Sequence, residues 1–134
     1  MKREDKELLL KDLCGRLPYG VKLQLYNGEL DNDILNSIDA EEYIIINGKD
    51  DIETVNPYLF PLSSMTEEHR EEINKITNGS VSISENFFYD LCSCSKIYHF
   101  DVIAVIDWLN ANHFDYRGLI PKGLAIDCTN LNIY

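Results

Sequence analysis

The sequence predicts an α+β protein: a small, bent antiparallel β-meander, or a barrel of the Src-homology-3 type, with an N-terminal helix and a C-terminal helical part. Three observations predict it. Residues 21–26 alternate apolar and polar, and residues 43–46 form a short apolar run, both patterns of short strands. Asn27-Gly28 and Asn47-Gly48 follow those runs, and both residue types tolerate the positive φ of tight turns. Residues 4–14 and 100–112 instead carry apolar residues at helical spacing.

In order along the chain, Leu9, Leu10, Leu13 and Cys14 form the apolar face of a first helix, with Gly15 as its stop and Pro18 beyond it. Val21, Leu23 and Leu25 then point one way from a strand, and Lys22, Gln24 and Tyr26 the other. A weaker apolar pattern follows at Ile34, Leu35 and Ile38. Tyr43–Ile46 is the next strand, and Ile52 with Val55 makes a last short one before Asn56-Pro57. Strands this short must form a sheet that closes or packs on a helix. Residues 57–62, PYLFPL, are broken by Pro61 and read as an extended connector.

Thr66 is a good N-cap for a surface helix, with Glu67 and Glu68 at the positive end of its dipole. Met65, Ile73 and Ile76 are its thin apolar content, His69 lies among charges and is expected in solvent, and Asn78-Gly79 stops it. Ser80–Ser84 hints at a brief strand. Residues 85–99 fit helix or strand, with helix favoured over Glu85–Cys92. Phe100 to Asn112 is the strongest helix and the expected central beam, striped by Val102, Ile103, Ile106 and Leu109 and widened by Val105 and Trp108. Leu119, Ile120, Leu124 and Ile126 return to the core, and the polar tail CTNLNIY is expected to fray. The whole reads as a single domain, 1–134, with residues 1–62 holding the first helix and the meander and residues 63–134 the helical part and tail.

Composition limits the function. The chain has 134 residues, enough to bury a core without staples, and 23 acids against 12 bases give a net charge of -11. That charge repels phosphate backbones and anionic membranes, so direct nucleic-acid binding and membrane docking are not expected. It permits a basic protein partner. The four cysteines lack the spacing of a disulfide framework, the start MKREDKELLL lacks the pattern of a signal peptide, and no apolar run approaches a membrane span. A reduced, cytoplasmic protein is expected.

No motif carries chemistry. Cys92-x-Cys94 is one residue short of a zinc knuckle, and Cys128, His99 or His113 could complete a site only by an accident of folding. No GxSxG elbow, Walker loop or GxGxxG is present. DNDILNSIDAEE has carboxylates, but not the glycine and spacing of a calcium loop. No metal and no cofactor are expected, and buried or half-buried thiols are the better reading of the cysteines. The acids from Glu29 to Glu53 stand against Lys49 alone in that stretch, and Asp and Asn there suit turns.

One cluster invites a site. His113, Asp115, Tyr116 and Arg117 bring a titratable ring, a carboxylate, a phenol and a guanidinium into five residues, a set that suits an interface anchor. The structural reading of the same turn comes first: Asp115 and Arg117 pair or cap, Phe114 and Tyr116 pack, and Gly118 allows the bend.

Three blocks, LLLKDLCGRLPYGVK, NPYLFPLSSMTEE and WLNANHFDYRGLIPKGLAI, resemble a group of small uncharacterised proteins from gut Bacteroidales, their phages and mobile elements. The resemblance covers about half the chain in separated blocks. It implies a cytoplasmic, phage-related protein and transfers no catalytic residue. The expected function is that of a non-enzymatic accessory or protein-interaction protein. An acidic mimic of nucleic acid that blocks a basic host protein is one alternative, and needs carboxylates arrayed along one face. A small hydrolase using His113 or His99 as base is the other, and needs that His in a cleft beside Cys, Ser or Asp.

Overall fold

The computed structural model describes residues 2–26, 29–35, 37–38, 44–45, 54–77 and 102–134. The expectations for Ser80–Ser84, Glu85–Cys92, Cys94, His99, and the Asn-Gly pairs at 27–28, 47–48 and 78–79 lie outside those residues. The described elements are helices α1 (Arg3–Arg16), α2 (Glu67–Thr77) and α3 (Val102–Ala111), and strands β1 (Lys22–Tyr26), β2 (Leu30–Ile34), β3 (Ser37–Ile38), β4 (Ile44–Ile45), β5 (Thr54–Pro61), β6 (Phe114–Asp115) and β7 (Ile126–Asp127). Helices and a mixed, open sheet of five strands make the fold α+β. The described strands do not close into a barrel. The chain divides into one compact unit of Met1–Leu59 with Gly118–Tyr134 and a second of Phe60–Arg117.

In the first unit β1 is central, pairing antiparallel with β2 (Lys22 opposite Ile34) and with β5 (Leu23 opposite Pro57). β7 joins β5 in parallel, Tyr58 opposite Ile126, which an all-antiparallel meander does not have. β3 and β4 pair with each other. Val21, Leu23, Leu25 and Leu35 lie on one face and are buried with Leu9 and Leu13 of α1, joined by Leu59, Leu119, Leu124 and Ala125. The alternation read in β1 is therefore the alternation of a core face. Burying a Leu side chain is worth about 1.5–3 kcal/mol, so this cluster accounts for the docking of α1.

Several expectations are corrected here. The first helix runs through Gly15 and into a 3-10 turn at Leu17–Tyr19, and the left-handed Gly20 (φ +67°) redirects the chain. Cys14 is exposed rather than on the core face. Two charged residues are fully buried instead: Arg16 Nε and Nη2 donate to Asp12 Oδ2 and Oδ1 at 2.6 and 3.1 Å. Each charge satisfies the other in a geometry α1 provides, one turn apart. β2 carries Asp31 and Asp33 inside a strand, not in a turn. The segment after Val55 is no connector either, because β5 continues through both prolines to Pro61. Pro57 is tolerated because ladder bonds alternate. Val21 C=O takes the Leu35 N–H on the β2 side, so the even residues of β1 face β5. Pro57 stands opposite odd-numbered Leu23, where no N–H is needed.

In the second unit the last two residues of β5 pair in parallel with β6, Phe60 opposite Phe114. Met65, Ile73, Val105, Leu109, Phe114 and Tyr116 are its buried cluster. Thr66 caps α2 as expected, and in a reciprocal form. Thr66 Oγ1 accepts the His69 N–H at 3.3 Å, and His69 Nδ1 accepts the Thr66 N–H at 3.2 Å, an imidazole filling the usual Glu position of a capping box. His69 is thus not a solvent residue. Its ring meets Trp108 and Phe114 edge-on at 5.7 and 5.2 Å, while those two stack at 5.6 Å. Trp108 Nε1 donates to Glu72 at 2.6 Å. Ile103, expected on the core stripe of α3, is 73% exposed. It lies about 200° round the helix from the fully buried Val105.

Candidate functional site

The turn after α3 gathers the four residues singled out by composition. Asn112 ends the helix as expected: its N–H and its Nδ2 both donate to Trp108 C=O, at 3.0 and 2.9 Å. His113 takes φ +62°, a left-handed conformation unusual for a residue with a Cβ, and its C=O accepts the Phe60 N–H at 2.9 Å, which starts the β5–β6 pairing. Asp115 then lies in β6 opposite Pro61 and is buried. Tyr116 is buried, and its hydroxyl donates to Asn110 Oδ1 at 3.0 Å, locking the turn back onto α3. The Arg117 guanidinium stands 5.2 Å from the Tyr116 ring centroid, a cation–π distance. Gly118 at φ +75° makes the exit. Each residue therefore has a part in shaping the turn. The aromatic ones, Phe114 and Tyr116, lie in the buried cluster of this unit.

A second constellation, in the first unit, was not singled out from sequence. The tail does not fray at its end. Tyr134 Oη accepts the Lys22 N–H at 2.9 Å and donates to Tyr58 C=O at 3.0 Å. Lys22 Nζ donates to Ile133 C=O at 2.6 Å and lies 5.5 Å from the Tyr134 ring centroid. Burial is the main reason the Tyr134 phenol is pushed up to about 12, and burial likewise raises the Cys128 thiol to about 11. Beside the tail opens a cleft of about 370 Å³, walled by Lys22, Asn32, Ile34 and Tyr58 of the sheet and by Asn132 and Ile133 of the tail. Within it Tyr58 Oη donates to Asn32 Oδ1 at 2.8 Å and accepts from Gln24 Nε2 at 3.2 Å, so one phenol bridges side chains of β1 and β2.

The exposed face of this sheet is apolar at its edge. Tyr26, Leu30 and Ile34 share the face opposite the core and are 39%, 71% and 44% exposed. Two of the acids nearby have a local role. Asp31 Oδ1 accepts the Asn32 N–H and Asp33 Oδ1 the Ile34 N–H, each at 2.8 Å. By the alternation above, those N–H groups point away from β1, so the carboxylates cover the donors of the outer edge of β2.

Sequence offered no signal for the tail seat, because its partners are 112 and 76 residues away. Alternation did place Lys22 and Tyr26 on the outer face. Cys128 is buried, as read for the thiols, whereas Cys14 is not. Among the described residues, no three or more His, Cys, Asp or Glu side chains converge to hold a metal, and no helix is long and apolar enough to cross a membrane. No family model, curated protein or solved structure matches the chain.

Proposed function

We propose that this chain is a non-enzymatic accessory protein that works by binding another protein through the outer sheet face of its first unit. The observation that carries the reading is the row Tyr26, Leu30 and Ile34, three large apolar side chains held in the open on one face of a sheet. Exposed apolar side chains that lie together, rimmed by polar residues, characterise protein interfaces. Lys22, Gln24 and Asn32 are the polar residues on that face, Asp31 and Asp33 stand along the outer edge of β2, and the net charge of -11 favours a partner with basic residues around an apolar centre. The same charge sets direct nucleic-acid binding aside. The cysteine usage supports a cytoplasmic setting, and the resemblance of the three blocks alone supports a place in phage or mobile-element biology.

The test is affinity capture from the native host with mass spectrometry, comparing the wild-type chain with a Leu30→Ser, Ile34→Ser double variant. Both residues are exposed, so the fold tolerates the change. A reproducible partner lost in the variant is the expected result. A partner list unchanged by the substitutions, yet altered by Tyr116→Ala with Arg117→Ala, moves the interface to the turn after α3 and ends this reading.

A further inference from the structure

The pairing of β1 with β5 is interrupted at its outer end. Leu23–Pro57, Gln24–Asn56, Leu25–Val55 and Tyr26–Thr54 are in register, so the next pair outward is Lys22 with Tyr58. Even-numbered residues of β1 turn their backbone groups to β5, so the Lys22 N–H would donate to the Tyr58 C=O. Neither group bonds the other. The hydroxyl of Tyr134 stands between them, accepting from the first and donating to the second. A donor and an acceptor spaced to hold one hydroxyl, with the Lys22 ammonium over the ring that bears it, define a seat for a para-hydroxyphenyl group. The ammonium also binds the C=O of the residue before the aromatic one, so the seat reads an extended dipeptide.

The tail that fills the seat is held at its tip. Thr129, Asn130, Leu131 and Asn132 are exposed, and Asn132 adopts φ +51°, a conformation that costs a residue with a Cβ. The adjoining cleft has the tail as one wall, so withdrawing the tail joins seat and cleft into one open trough along β2.

We propose that this trough is a docking site for an extended, tyrosine-bearing segment of a partner protein, and that residues 129–134 occupy it in cis as a built-in competitor. The inference rests on the interaction reading above, because the trough lies on the same outer face as Tyr26 and Ile34. It adds the partner's chemistry: an aliphatic residue followed by tyrosine, presented in extended form. The tail itself, Ile133 then Tyr134, is the template for that choice.

The experiment uses the full chain. Tyr134→Ala vacates the ring seat, and the probe is the end-blocked tripeptide Asn-Ile-Tyr, followed by isothermal titration and by the Lys22 backbone amide resonance. The expected result is binding to the variant at least tenfold tighter than to the wild-type chain, a Lys22 amide shift on binding, and at least a tenfold loss when the peptide carries Phe in place of Tyr. Equal affinity of the Tyr and Phe peptides, equal affinity of variant and wild type, or no binding by a variant whose Leu23 and Leu25 amides stay protected overturns the proposal. Free tyrosine binding as tightly as the tripeptide also overturns it, since the seat would then take a small molecule. If Tyr134→Ala does not fold, Tyr134→Phe replaces it. That variant keeps the ring and loses the hydroxyl, so the tripeptide should displace its tail more easily than the wild-type tail, and an unchanged affinity refutes the competition. Tyr26→Ser with Leu30→Ser lies off the cleft and leaves the trough intact, so loss of a captured partner there alongside failure of the peptide separates the two ideas.

Discussion

Two tyrosine hydroxyls close the two units, and they do so differently. Tyr116 bonds a side chain six residues back, so turn and helix hold each other within one local stretch. Tyr134 bonds the backbones of two strands, 112 and 76 residues away. The Tyr116 bond is buried on both sides, with Asn110 3% and Tyr116 6% exposed. Tyr134 is 41% exposed, and the groups it bridges could pair with each other if it left. The difference teaches what each contact is for. A phenol whose acceptor has no substitute is a fixed brace. A phenol standing between two groups already in register is exchangeable.

The largest effect that could break this contrast comes from the ring under the brace. Phe114→Ala should cost about 3–5 kcal/mol in urea denaturation, because Phe114 stacks on Trp108 and is fully buried. A loss below about 1 kcal/mol would mean the second cluster is loose and the turn is not braced by it. Tyr116→Phe should come next at about 1–3 kcal/mol, since it leaves Asn110 Oδ1 buried without its donor. Tyr134→Phe should cost about 1 kcal/mol or less, because Lys22 and Tyr58 can bond directly or through water. If the two Tyr→Phe variants reverse in order, the contrast is wrong.

The effect that is smallest near neutral pH is alkaline. Burial raises both Cys128 and Tyr134, so the folded chain holds their protons above the ordinary values of 9.0 and 10.0. Stability is therefore complete below those values and falls as pH rises towards 11 and 12. The loss is slight by pH 9 and grows above it, with the Tyr134 part reduced by solvent because that residue is 41% exposed. Urea midpoints measured between pH 8 and pH 11 should decline for the wild type. Tyr134→Phe should decline less in the upper half of that range, and an identical profile in the two chains would contradict the buried phenol.

Periodicity made α1, β1, α2 and α3 legible, because each buries one face and the face shows in the spacing. Thr66 was legible as a cap because its chemistry is local. The length of β5 was hidden by Pro57 and Pro61, which read as breaks until the pairing shows that Pro57 falls where no donor is required. β2 was hidden by its aspartates, which suit turns yet here bond the backbone of their own strand. Around the turn residues His113, Asp115, Tyr116 and Arg117, sequence foresaw that Phe114 and Tyr116 pack and that Gly118 takes the bend, but not that Arg117 lies against the Tyr116 ring. The tail was read as polar and loose, since nothing within seven residues of chain reveals a seat formed by β1 and β5.

The relay from Gln24 through Tyr58 to Asn32 has a further consequence. Apolar patterning forbids a one-residue slip of β2 on β1, because that would move every side chain to the other face. A two-residue slip keeps the faces and so escapes that check. It would carry Asn32 away from Gln24 and strand the buried Tyr58 hydroxyl, which needs Asn32 as its acceptor. The polar relay thus detects the error that hydrophobicity cannot see, and the register of this small sheet is verified twice, once by each kind of chemistry.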